Sequence, residues 1–104
     1  MLLVDALPEL AEELHELLVK DGRPELASQI PILTIVDRCR CGDYFCASFY
    51  TQPKPNGSYG SGHDCLELAP AEGTLILDVV AGEIAHIEVL NRDGVRRRLL
   101  AVLP

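Results

Sequence analysis

Positive charge is scarce in this chain. Nine lysines and arginines stand against 16 aspartates and glutamates, a formal net charge of −7. A general nucleic-acid binder needs a basic patch for its phosphate contacts, so that class is excluded. The same imbalance suits a protein partner with a positive face, and it also aids solubility. Long apolar runs are missing as well. No stretch approaches the roughly 18 apolar residues of a membrane span. Leu2–Val4 is too short for a signal-peptide core and no basic segment precedes it, so a cytoplasmic location is expected. No serine sits in a nucleophile-elbow motif and no glycine-rich loop has phosphate-binding spacing. Tryptophan is absent.

What is present is enough for one domain spanning 1–104. Apolar residues make up 48% and charged residues 24% of the chain, ordinary values for a globular protein with one modest core. From Asp5 to Lys20, Leu7, Leu10, Ala11, Leu14, Leu17 and Leu18 recur at helical spacing and form one apolar stripe. Pro8 fits the first turn, Asp5 is placed to cap it, and Asp21-Gly22 stops it. A second, short helix over Arg23–Gln29 opens at Pro24 and buries Leu26, Ala27 and Ile30, with Pro31 ending it.

The next stretch is β-rich. Ile32–Arg38 and Tyr44–Thr51 read as two strands joined by a turn over Arg40–Asp43, with Gly42 as its permissive residue. Gln52–Gly62, rich in glycine, proline and serine, is a long loop and a candidate binding surface. His63–Leu68 reads as a short strand. Thr74–Val80 and Glu83–Leu90 form a hairpin about Ala81-Gly82. A plain two-residue turn would put Leu75, Leu77, Val79, Ile84, His86 and Glu88 on one face. The other would carry Ile76, Asp78, Val80, Glu83, Ala85, Ile87 and Val89. Both faces would then be apolar near the centre, and the second would need a cover such as the same face of a homodimer partner. Val95–Leu103 reads as a last strand, entered through Arg96-Arg97-Arg98 at a solvated edge. The expected fold is α+β: an antiparallel β-sheet packed against an N-terminal amphipathic helix and a short second helix.

The run from Gly73 to Leu90, with Leu77-Asp78, Gly82, Ile84 and Ile87-Glu88-Val89-Leu90 at its fixed points, resembles the end of the small bacterial YuzE-like proteins. Those close with a hairpin reading roughly leu-asp-x-x-x-gly-x-ile-x-x-ile-glu-ile-leu. The resemblance covers residues 73–90 and implies a small β-rich domain with a helix and no established catalytic role.

The least ordinary chemistry lies in four cysteines. In a cytosolic chain these are thiols or metal ligands before they are disulfides. Zinc favours four thiolate or imidazole donors. Cys39, Cys41 and Cys46 lie in or beside one turn, and Cys65 or His63 would supply the fourth donor. The spacing is not that of a standard zinc finger, and free thiols packed near the sheet are the simpler alternative. His63 near Asp64 and Glu67, and His86 near Glu88, would support acid–base work only within a shared cleft.

Three functions are therefore open. The first is a non-enzymatic interaction module, in one form an immunity- or antitoxin-like protein that binds a basic partner. Its contacts would come from Tyr59 in the loop and Glu12, Glu13 and Glu16 on the helix. The second is a small structural zinc protein built on the cysteine turn. The third is a hydrolase-like enzyme around His63.

Overall fold

The computed structural model describes Met1–Pro104. Its fold is α+β, an antiparallel sheet with helices against one face. The N-terminal apolar stripe is split into α1 (Leu3–Ala6) and α2 (Pro8–Lys20). The break falls at Leu7, with φ −135° and ψ 66°. Pro8 causes it, since proline disfavours helical backbone in the residue before it and brings no N–H to bond back. Asp5 consequently lies inside α1, exposed, and neither helix has a side-chain cap. Leu10, Ala11, Leu14 and Leu18 of α2 are buried. Gly22, at φ +73°, turns the chain after Lys20. The second helix, α3 (Pro24–Ala27), and a 3-10 turn over Ile30–Ile32 bury Leu26, Ala27 and Ile30 as the sequence suggests.

Five strands follow: β1 (Asp37–Arg38), β2 (Phe49–Tyr50), β3 (His63–Glu67), β4 (Thr74–Val80) and β5 (Glu83–Leu90). Their order in the sheet is β1-β2-β5-β4-β3, antiparallel throughout. The β1–β2 pair is shorter than the β-branched sequence suggests. Part of its first half pairs elsewhere: Thr34 bridges Leu2, and Ile35 N–H bonds the Met1 carbonyl at 2.8 Å. Beyond the named strands, pairing continues through Val36 N–H to Tyr50 O and Cys39 N–H to Ser48 O, at 2.9 and 2.8 Å.

The β4–β5 turn is the expected two-residue Ala81-Gly82, with φ +51° and +80°, values that suit a tight hairpin of this hand. The faces nevertheless differ from the plain alternation. Val79 pairs with Ile84, but Asp78 pairs with His86, so Ala85 is bulged out of register. The bulged Ala85 carbonyl receives the Thr51 and Gln52 N–H groups at 2.9 and 3.3 Å, tying β5 to the exit of β2. Past the bulge every β5 side chain changes face. Leu75, Leu77, Val79, Ile84, Ile87 and Val89 are all buried, and together with Phe49 and the leucines of α2 they form one core. The outer face keeps Ile76, Asp78, Val80, His86 and Glu88, none of them fully buried. The apolar second face that would have required a cover is therefore not formed.

The C-terminal segment is a helix, α4 (Asp93–Val102), where the sequence suggests a strand. β5 already has β2 and β4 on its two sides, so no edge beside it is free for the next segment. Val95, Leu99 and Val102 recur at helical spacing, and Leu99 enters the core. The three arginines are good helix formers, and in a helix they point in different directions.

Candidate metal centre

The fold brings three of the four cysteines together. The β1–β2 pair ends at Cys39, Gly42 takes φ +82° in the turn, and Cys46 re-enters the sheet through a bridge to Leu90. One donor atom from each of Cys39, Cys41 and Cys46 lies within 4.8 Å of the others. Cys39 and Cys46 are half-buried and Cys41 is exposed, and all are free thiols. Tetrahedral zinc with sulfurs at about 2.3 Å holds them about 3.8 Å apart, so metal binding needs a tightening of roughly an ångström at most. The three thiols line a cavity of about 20 Å³ with Asp43 and Arg38, roofed by Arg96, Leu99 and Leu100 of α4.

Electrostatics distinguish the thiols. At Cys46, burial is the largest single influence and opposes ionisation. Hydrogen bonds from the Ser48 hydroxyl and N–H, and from Cys41 and Cys39, outweigh it and hold this thiol below the ordinary value. At Cys41 the Asp43 backbone N–H favours the thiolate, but Cys46, burial and Cys39 together push the thiol up to about 11. Of these two thiols, Cys46 is the one that ionises more readily. A divalent cation would supply the charge needed to ionise all three.

Cys65 and His63 lie elsewhere. Both are on β3, the far edge strand, with β4 and β5 between them and β2. At about 4.8 Å per strand that is some 14 Å from β2, and neither belongs to the three-thiol set. Cys65 faces Asp78 across the ladder, and its thiol is pushed up by burial and by the charges of Asp78, Glu88 and Glu67. The zinc set suggested by sequence thus divides into a three-cysteine cluster and two separate residues.

His63 has other company. Asp78 receives His63 Nε2 at 2.7 Å on one carboxylate oxygen and His86 Nδ1 at 2.9 Å on the other. Tyr59 lies against His63 and Tyr50 against His86, with ring centroids 4.8 and 4.5 Å apart. Sequence reasoning paired these histidines with neighbours along the chain. The true partner is one strand across from each, and the Ala85 bulge is what sets His86 opposite Asp78.

The proposed contact residues also separate. Glu12 and Glu16 are exposed on α2. Glu13 is held by both terminal nitrogens of Arg92, one at 3.1 Å. Tyr59 is half-buried on His63 instead of standing free at the loop tip. Sequence reasoning missed Tyr44. It is 79% exposed beside the cysteines and packs edge-to-face on Phe45. Tyr44 also borders a groove of about 720 Å³ between α2 and the start of α4, whose walls include Leu7, Leu10 and Arg98.

No helix is long and apolar enough to cross a membrane. No family model, curated protein or solved structure matches the chain.

Proposed function

We propose that this is a small metal–thiolate protein, in which Cys39, Cys41 and Cys46 hold a zinc ion that fixes the cysteine turn against α4. The observation that carries this reading is the convergence of three thiol donors within 4.8 Å. Zinc is the preferred ion because it accepts thiolate ligands in tetrahedral geometry and has no redox chemistry of its own to oxidise them. The hydrogen bonds that lower the Cys46 thiol from its ordinary value favour the thiolate, the form that binds metal. Binding would add to the stability of a region whose strands are only two residues long. Metal analysis of protein purified without added zinc tests the reading. About one equivalent of zinc is expected, lost in Cys41→Ser or Cys46→Ser and retained in Cys65→Ser. A folded wild-type protein without bound metal refutes it.

A second reading, that of an interaction module, is favoured by the exposed Tyr44–Phe45 pair. Exposed aromatics are common anchors at protein interfaces. The metal would then hold the tip that presents them to a protein with a basic face. A partner retained by wild type and released by Tyr44→Ala supports this reading. Equal retention by both argues against it.

A further inference from the structure

We infer that the metal centre keeps one coordination position for an external monoanion, with Arg96 as the group that receives it. This rests on the metal–thiolate reading and extends it. A closed structural zinc site takes four protein donors, whereas a site with three leaves one position for water or another ligand. Here only three histidine, cysteine or carboxylate residues place donor atoms within the 4.8 Å set.

Two arginines stand in the walls around that position. The Nε of Arg96 is buried and has no hydrogen-bond partner. A buried guanidinium N–H without an acceptor carries a desolvation cost that an incoming anion removes. Arg38 lines the same cavity, and its guanidinium bonds only the Leu103 and Cys39 carbonyls, at 2.6 and 3.4 Å. Neither arginine is ion-paired. A divalent cation with three thiolates has one net negative charge. The two guanidinium groups offset it and the Asp43 carboxylate on the same wall brings the total to zero, so the preference for an anionic ligand rests on the acceptor-less N–H of the charged Arg96 guanidinium. The cavity of about 20 Å³ between the thiols is space that the metal itself would take, so a fourth ligand approaches from the exposed Cys41 side. The ligand class is therefore a small monoanion, or the anionic donor atom of a larger molecule reaching in from the exposed Cys41 side. Asp43 is the rival from within the chain. It lines the cavity, but its carboxylate is outside the thiol set.

Cobalt(II) in place of zinc makes the site visible, and azide is the probe. In chloride-free buffer, the cobalt protein should show thiolate-to-cobalt absorption, and azide should shift its ligand-field bands saturably. Arg96→Gln should bind cobalt with unchanged stoichiometry and azide about tenfold more weakly, the loss expected for one charge-assisted hydrogen bond. Arg96→Lys, which keeps the charge but not the Nε–H, should fall between. Asp43→Asn, which removes a negative charge from the cavity wall, should leave the azide response in place and not weaken it. Cobalt bands that azide does not move in wild type overturn the inference, as does a response that appears only in Asp43→Asn. An azide affinity unaffected by Arg96→Gln also overturns it. Absence of cobalt binding overturns the metal–thiolate reading itself, and this inference with it.

Discussion

The sulfur of Cys46 lies 3.4 Å from the hydroxyl of Ser48. Ser48 is 3% exposed, and its Oγ receives the Val89 N–H at 2.9 Å. One buried hydroxyl thus joins the thiol cluster to the central strand β5. The cluster is anchored to the sheet at Cys46, while Cys41 stands exposed at the turn.

Ser48→Ala removes that link. It leaves the Val89 N–H without its acceptor, at a cost of about 1–3 kcal/mol. It also takes away the hydroxyl that stabilises the Cys46 thiolate, so the alkylation midpoint of Cys46 in metal-free protein should move to higher pH. Urea denaturation reads the first effect and an alkylation–pH profile the second. An unchanged profile would show that Ser48 does not tune this thiol.

Within the cluster, Cys46 and Cys41 act oppositely on stability. Cys46 is depressed in the folded state, so its contribution is present above its unfolded pKa and lost as pH falls through the folded value. Cys41 is raised from 9.0 to about 11, so its contribution is full below 9.0 and lost as pH rises through about 11. Denaturation of reduced, metal-free protein across alkaline pH should show a loss of stability that shrinks in Cys41→Ser. An identical alkaline decline in the variant contradicts this assignment.

Asp78→Ala should destabilise the outer face of the sheet by about 1–3 kcal/mol, because two imidazoles lose a common charged acceptor on a side chain that is only 19% exposed. The His63 and His86 ring N–H protons should be visible by NMR in wild type and exchange rapidly in the variant. Histidine signals unaffected by the substitution would show that the carboxylate does not hold both rings.

Gly73→Ala should cost more than the roughly 1–2 kcal/mol of placing alanine in left-handed backbone. Gly73 has φ +68°, and a Cβ there would lie 2.5 Å from the Leu90 carbonyl and 2.8 Å from Arg92 Cδ. Chemical denaturation checks this, and a neutral effect would contradict the close approach.

The α2 stripe and the β4–β5 hairpin were legible because each repeats one period over several residues, and burial follows that period. The bulge was not legible. Ala85 is small and apolar, and nothing in its local pattern distinguishes a paired residue from a bulged one. Yet it decides which face Ile87 and Val89 occupy and which residue His86 meets. The C-terminal helix was misread because Asn91–Gly94 resembles a hairpin turn, while the fact that excludes another strand beside β5 is a property of the whole sheet. The same holds for the site. Proximity along the chain brought Cys39, Cys41 and Cys46 together correctly. It could not reveal that β3, carrying Cys65 and His63, crosses to the opposite edge, or that Arg96 comes back over the thiols on α4.

X-ray absorption at the zinc edge tests the central claim most directly, because it counts the sulfur ligands. The zinc-loaded protein should show three sulfurs at about 2.3 Å and one lighter donor at about 2.0–2.2 Å. A shell without sulfur, or one of four sulfurs, would contradict a three-thiolate centre built from Cys39, Cys41 and Cys46.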